Sequence, residues 1–505
     1  MRKSIINSIL AVALASSLTS CGDKFLETEM SNGIDFEEAL NSTSKIGTAL
    51  NGAYYELMYY YFAGNYATMI GDMASDIVYK SGNSNHFTTF NRFTYAPTDV
   101  YLSSIWSQGY AIVDNATRVI NAVDELFPTE EDPYNQAYLM VYQAEAKCLR
   151  AYAYLSMVNV FCHQAMVDGK SYLNQPGLVI GNEPLTDTSN IPQVKRSTIG
   201  ETYSYLINDL EEAIEVFENV GDQDYLFYFG AASAYGLLAR ANMYLENWDE
   251  AINAAENAID YSGIYTLTYD WDDYARLYAG QATNNESIFA LAIDDVYNWS
   301  ANSCGTLYTN YGYSYSPYLF SLYGDEDCRV SILWWKYGGQ QFYEWEAPQL
   351  CYNSSSPNFG GGKFNYGGGN TALATNYLIN APEMYLIMAE GYLNKGDLTN
   401  AQENLLVVAM RDNAITSTDD LPSDADGLKA FLMDERAREL FQEGFRLWDL
   451  RRWNNETNLY AIGAPNINFG KRGVKCGDII FPIPADEVNT SYGVTQNEGW
   501  QSTRP

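Results

Sequence analysis

Nineteen residues near the C-terminal end of the chain, Glu435 to Trp453 (ERARELFQEGFRLWDLRRW), restrict the fold more than any other stretch. On a helix, Phe441, Phe445 and Trp448 fall at i, i+4 and i+7 and make an apolar stripe. Leu440, Gly444 and Leu447 make a second row beside it. Two such rows predict a helix buried on more than one side. Its charges then have to be paired, because an unpaired interior charge costs several kcal/mol. Arg436 with Glu439, Glu443 with Arg446, and Arg446 with Asp449 stand at i, i+3. Arg436, Glu439, Glu443 and Arg446 are therefore predicted to form a buried, paired charge network with a structural role. Gly444 costs about 1 kcal/mol against alanine in mid-helix, so a closely approaching neighbour is its expected reason.

The pattern from Arg436 to Trp453, Arg-x-x-Glu-Leu-x-x-Glu-Gly-x-Arg-x-x-Asp-Leu-x-Arg-Trp, resembles the C-terminal signature of the SusD/RagB family. That resemblance implies an outer-membrane lipoprotein of Bacteroidetes that captures a nutrient for a partner transporter. Other segments look like the same family: Gly71 to Asp76, Trp106-x-x-x-Tyr110-x-x-x-x-Asn115, Arg150-Ala151-x-x-Tyr154, Ile479 to Glu487 (IIFPIPADE) and Thr495 to Trp500 (TQNEGW).

At the other end, Arg2 and Lys3 precede an apolar run from Ile9 to Leu18. These are the two parts of a secretory signal peptide, and the run falls short of the about 20 residues a spanning helix needs. Leu18-Thr19-Ser20-Cys21 looks like a lipobox, so Cys21 is the expected lipidation site, and stable anchoring takes two or more acyl chains. Removing residues 1–20 takes the formal net charge from −34 to −36. Such a balance argues against nucleic acid and against a basic patch on anionic lipid. Six cysteines remain: Cys148, Cys162, Cys304, Cys328, Cys351 and Cys476. Export permits disulfides, yet Cys148 and Cys162 lie about 21 Å apart on one predicted helix and cannot pair. Free, buried thiols are the expectation. His86 and His163 are the only histidines and no metal spacing is present, so no metal and no cofactor are expected.

Helical periodicity is expected over 42–62, with Ser42 or Thr43 as N-cap, and over 101–126, 138–163 and 202–217. Ala239, Trp248, Ala251 and Ala258, and again Ala389, Tyr392, Gly396 and Ala401, fall at tetratricopeptide-repeat offsets. Small residues at such positions let paired helices pack closely. The helices over 138–163 and 202–217 form a possible third pair. The expected fold is mainly α: a SusD-like helical scaffold (42–260 and 381–505) with tetratricopeptide-like helix pairs, interrupted by an aromatic, loop-rich insertion (261–380). Residues 1–20 form the signal peptide and 21–41 a lipidated tether. The insertion holds 27 aromatic residues in 120, against 47 in the other 385, which marks it as a different kind of surface. Its glycine runs, 360–362 and 367–369, indicate loops, and long loops in a compact protein are usually functional.

No nucleophile elbow, phosphate loop or zinc-protease motif is present. The acidic pairs Asp325/Asp327 and Asp270/Asp272 could serve a glycosidase or calcium, but solvated surface is the simpler reading in a chain with 63 acids. Sugar rings present apolar C–H faces ringed by hydroxyls, which flat aromatics and polar side chains complement. Candidate glycan-binding residues are Asn83, His86, Arg92, Trp299, Tyr311, Tyr313, Trp334, Trp335 and Trp345. Tyr313 and Tyr315 are expected to divide, one facing out and one in. The expected function is capture of an oligo- or polysaccharide and hand-over to a SusC-like TonB-dependent transporter, a partner implied by the resemblance alone. Peptide capture is the alternative, a glycan-degrading enzyme is less favoured, and a transporter lid with little affinity of its own is a further possibility. Replacing Cys21 with Ala is expected to leave the protein unlipidated and off the membrane. Unchanged partition into the detergent phase of membrane fractions would contradict this.

Overall fold

The computed structural model describes residues 40–80, 84–181, 183–184, 192–337, 340–343, 358–364, 370–455, 458–461, 464–468, 475–490 and 492–501. The expected signal peptide and most of the expected tether, with Cys21, lie outside these, as does Cys351. The helices that build the scaffold are α1 Thr43–Met58, α2 Tyr66–Met73, α3 Val100–Leu126, α4 Pro133–Phe161, α5 Ile199–Val220, α6 Ala231–Tyr244, α7 Trp248–Ser262, α8 Ala381–Asn394, α9 Leu398–Ala409, α10 Ala425–Glu439 and α11 Arg446–Arg452. Polar caps start several of them. Asp99 accepts from the Tyr101 amide at α3, Asp132 from Tyr134 at α4, and Thr198 with Glu201 forms a capping box at α5.

From α3 to α9 each helix packs on the next, and α1 lies across α3 and α4. The pairs α4/α5, α6/α7 and α8/α9 give the mainly helical, tetratricopeptide-like stack. A Cβ at Gly391 of α8 would come within 2.7 Å of Ile252 on α7, so these two helices touch through a residue without a side chain. Helix α7 thus meets α8 directly although 118 residues separate Ser262 from Ala381. The intervening chain leaves and returns at one place, where strands Ser287–Ala290 and Tyr377–Asn380 pair antiparallel.

That intervening segment is not a set of loops. It holds short helices at Trp271–Leu277 and Cys304–Asn310 and an antiparallel hairpin of Leu333–Tyr337 with Gln340–Tyr343. The first glycine run lies partly on a third strand, Asn358–Gly361, and residues 367–369 lie outside the described set. Strand Tyr313–Tyr315 pairs antiparallel with Val78–Lys80, with Lys80 opposite Tyr313.

The stretch from Glu435 to Trp453 is two helices and not one. Helix α10 ends at Glu439, and α11 begins at Arg446. Between them Gln442 and Gly444 take positive φ, 68° and 84°. A Cβ at Gly444 would lie 1.7 Å from the Thr68 carbonyl oxygen, so the turn seats itself on the backbone of α2 as only glycine can. Asp72 of α2 accepts from the amides of Gln442 (2.9 Å) and Arg446 (3.4 Å).

This break redirects every expected i, i+3 pair. The side chains of Arg436, Glu439, Glu443 and Arg446 are 0–6 % exposed, but their partners are distant in sequence. Arg436 pairs with Asp449 (2.8 Å) and Arg446 with Asp76 (2.8 Å). Glu439 meets Arg329 (3.0 Å) and Arg411 (3.4 Å), and Glu443 meets Lys363. Arg452 links Asp449 to Glu390 of α8. Asp327, expected in solvent, is buried and pairs with Arg329 at 2.8 Å, which also reaches Glu435 at 2.6 Å. Asp270 caps the helix Trp271–Leu277, and Asp325 is exposed. Cys148, Cys162, Cys304, Cys328 and Cys476 are buried free thiols.

Removing one member of a buried pair leaves the other charge uncompensated, at about 3–5 kcal/mol. Glu443→Ala, which strands the Lys363 ammonium, is expected to cost that much in chemical denaturation. A near-neutral shift would contradict the network's structural role.

Candidate functional site

Three consecutive tyrosines, Tyr59-Tyr60-Tyr61, follow helix α1. Three neighbours cannot share one helical face, and the chain leaves the helix at Tyr59, whose ψ is 143°. The expected helix over 42–62 is therefore shorter. Its last carbonyls are satisfied from elsewhere: the Ala63 amide donates to Leu57, and the Trp299 indole Nε1–H donates to Met58 at 2.7 Å. That bond fixes Trp299 against the tyrosines.

The result is a connected run of rings. Trp299 meets Tyr59 edge-on at 4.7 Å and Tyr55 at 5.8 Å between centroids. Tyr59 is 4.8 Å from Tyr60, and Tyr60 is 4.4 Å from Tyr61. Tyr61 leads to Tyr66 at 5.5 Å, and Tyr66 to Tyr101 of α3 at 4.5 Å. The Tyr101 hydroxyl stands 3.5 Å from His86 Nδ1, and His86 stacks on Tyr311 at 4.0 Å. Tyr59, Tyr60, Tyr61, Trp299, His86 and Tyr311 are all half-buried, with Tyr55 and Tyr297 exposed at one end. Asp294 holds that end by accepting from the amides of Val296 and Tyr297.

The strand register that sets Lys80 opposite Tyr313 brings the loop with His86 beside Tyr311. The Ser84 hydroxyl donates to the Tyr311 carbonyl at 3.0 Å, and Lys80 donates to the Ser84 carbonyl at 2.6 Å. Lys80 and Arg92 stand at this end of the arc. Burial, and then the nearby Lys80 charge, push His86 below its ordinary 6.5. Burial, and then Arg92, lower Lys80. Tyr60 is raised above 10.0 by the Tyr61 hydroxyl and by burial, and Tyr66 and Tyr101 are raised mainly by burial.

Of the expected glycan-binding residues, the arc brings together His86, Trp299 and Tyr311. Arg92 is exposed nearby, one residue past the helix Thr88–Asn91. Tyr313 does not belong on a binding face: it is 0 % exposed, its hydroxyl donates to the His86 carbonyl, and Lys80 lies over its ring at 5.6 Å. Tyr315, 1 % exposed, does not face out either, because residues two apart share one side of a strand. Trp334 and Trp335 lie on the strand Leu333–Tyr337, but their side chains are outside the described set, as are Asn83 and Trp345 entirely. Sequence reasoning missed Tyr55, Tyr59, Tyr60, Tyr61, Tyr66, Tyr101 and Tyr297. The available signal was the tyrosine triplet, which breaks helical periodicity. Among the described residues no cluster of potential ligands could hold a metal ion.

The arc is a set of flat, neutral faces with hydroxyls at their rims, suited to binding polyhydroxylated rings. His86 is shifted down and Tyr60, Tyr66 and Tyr101 are shifted up, so each is moved toward its neutral form. Ligand affinity is expected to be flat from about pH 7 to about pH 9. A change beyond about threefold, read by titration calorimetry, would show an ionising group in the contact.

Two family models match the chain: one described as starch-binding and associating with the outer membrane, over residues 24–245, and one for the SusD family, over residues 294–500. A SusD-like protein of Formosa agariphila is 24% identical, the match covering 97% of this chain and 99% of the relative. A SusD-like protein of Bacteroides ovatus is 23% identical, but the match covers 62% of this chain and 54% of that relative. A SusD superfamily structure from Bacteroides thetaiotaomicron superposes with a TM-score of 0.76 at 19% identity, over 90% of this chain and 99% of the other. A SusD-like carbohydrate-binding protein from Bacteroides vulgatus gives 0.69 at 22%, over 83% and 85%. At these identities the two structures speak for the fold. Among the described residues no helix is long and apolar enough to cross a membrane.

Proposed function

The chain belongs to the SusD/RagB family, and on that premise we propose that it captures an oligo- or polysaccharide at the outer membrane, held there through an acylated Cys21. The observation that carries this reading is the arc of half-buried rings from Tyr55 through Trp299 to Tyr311. Burying an aromatic face against sugar C–H groups releases water from both, and the hydroxyls find partners at the rim. The arc is largely preformed: Trp299 is fixed by its bond to Met58, and His86 by its stack on Tyr311. Little ordering is then left for binding to offset. Capture is an equilibrium step with no covalent chemistry, and release passes the glycan to a SusC-like TonB-dependent transporter.

The test is native affinity electrophoresis of residues 22–505 through gels containing soluble starch, xylan, laminarin, galactomannan or polygalacturonate, with an assay for released sugars. Retardation by a polymer without products is expected. Trp299→Ala should weaken it at least about tenfold. Trp299→Phe, which keeps a ring and loses the N–H, should retain most of it. Retardation accompanied by products would mean an enzyme, and no retardation by any polymer would defeat the glycan reading.

A further inference from the structure

Past Tyr55 and Tyr297 the arc opens into a cleft of about 500 Å³, walled by Tyr54, Tyr55, Tyr225, Tyr228 and Tyr297 with Asn51. A second cleft, about 380 Å³, is lined by Thr48, Asn51, Tyr138, Tyr142, Gln223 and Tyr228 among others. The two share Asn51 and Tyr228, so they adjoin as two halves of one trough along α1, the N-terminal part of α4 and the loop after α5, divided by that bonded pair. Each is within the size range of small-molecule sites.

The trough repeats the chemistry of the arc. Tyr138 stacks on Tyr142 at 6.1 Å, and Tyr54 meets Tyr228 edge-on at 5.1 Å. The Tyr228 hydroxyl donates to the Asn51 side-chain carbonyl at 3.2 Å, setting a hydroxyl and an amide between the rings. Its floor is stiff. The Tyr54 hydroxyl donates to Glu145 (2.7 Å) and accepts from the Phe229 amide (2.8 Å), and Gln223 donates to the same buried Glu145. Its walls are open: Tyr138 is 56%, Tyr225 60%, Tyr297 53% and Tyr55 41% exposed.

Charge narrows the occupant. Among the described residues no basic side chain lines either cleft, and Asp294 is the one charged residue that does. An anionic glycan finds no counter-charge here. The larger cleft also carries apolar surface from Met58, Phe227 and Leu291, which suits the C–H faces of a sugar while the hydroxyls and amides between the rings suit its polar edge. Tyr55 and Tyr297 belong both to the end of the arc and to the wall of the trough, so a chain lying on the arc runs into the trough without leaving aromatic surface.

We propose that this trough is a second glycan subsite, which takes a further, uncharged stretch of the same polysaccharide chain that lies on the arc. The inference rests on the glycan reading given above. Once the arc is occupied, the trough meets its segment at the high effective concentration of a tethered ligand. The protein thereby prefers extended polymer to short fragments.

The test compares wild type, Tyr138→Ala/Tyr225→Ala and Trp299→Ala in the same polysaccharide gels, and by calorimetry with a hexasaccharide cut from the polymer that retards the wild type. Tyr138 and Tyr225 are exposed, so their loss should leave the thermal midpoint unchanged. The two single variants replace the double if it does not fold. The expected result is polymer affinity at least about tenfold weaker in the trough variant, with hexasaccharide affinity within about twofold of wild type, and both lost in Trp299→Ala. Equal retardation of wild type and trough variant overturns the second subsite and leaves the arc standing. No retardation of wild type by any polymer overturns both.

Discussion

A guanidinium in a protein interior has to be met by carboxylates or carbonyls that are themselves held in place, and this fold is arranged around that requirement. Arg329, Arg411, Arg436 and Arg451 are among its largest fully buried side chains. Asp449 binds Arg436 and Arg452 together, and Arg452 carries the chain of contacts to Glu390. Among the described residues Arg451 pairs with no carboxylate; its two terminal nitrogens donate to the carbonyls of Asn159 and Cys162 at the C-terminal end of α4, each at 2.6 Å. A helix C-terminus is partly negative, so a cation suits it, although burial still lowers this guanidinium to about 10. Such pairs add little net stability over a well-packed apolar core. What they impose is uniqueness, since any other arrangement strands a charge.

That uniqueness positions the site. Glu286, Asp327, Arg329 and Lys363 all lie between α7 and α8, and all end in the network around α9 and α10. The segment that carries Trp299 and Tyr311 is thereby bolted to the helical stack at several buried points. From the other side, Asp72 and Asp76 tie the turn at Gln442–Arg446 to the stretch after α2, which leads through Val78–Lys80 to His86. The two halves of the aromatic arc are set against each other by these buried charges.

The helices, their pairing and the burial of Arg436, Glu439 and Arg446 follow from local features: periodicity, small residues at fixed offsets, and charges on an apolar element. What local features could not supply is partnership. Arg446 meets Asp76 across 370 positions, and no spacing rule reaches that far. The break at Gly444 was hidden for a related reason. A glycine in a helical pattern signals close approach, and close approach is present, but the positive φ that splits the helix is imposed by α2. At the candidate site, counting aromatics pointed to residues 261–380, whereas the arc also draws Tyr55, Tyr59, Tyr60, Tyr61, Tyr66 and Tyr101 from the N-terminal part of the chain. Tyr313 and Tyr311 read alike in sequence, yet pairing with Val78–Lys80 buries Tyr313, while Tyr311, outside the paired strand, stays half-buried. Tyr59, Tyr60 and Tyr61 were hidden inside an expected helix that the Trp299 indole helps to end.

The most direct measurement is a crystal structure of residues 22–505 with an oligosaccharide from a polymer the protein binds. The expected result is sugar rings packed on Trp299 with Tyr59 and on Tyr311 with His86, the buried ion pairs unchanged. Sugar bound elsewhere with the arc bare, or seated only after Trp299 has left Met58, would contradict a preformed site held by the buried network.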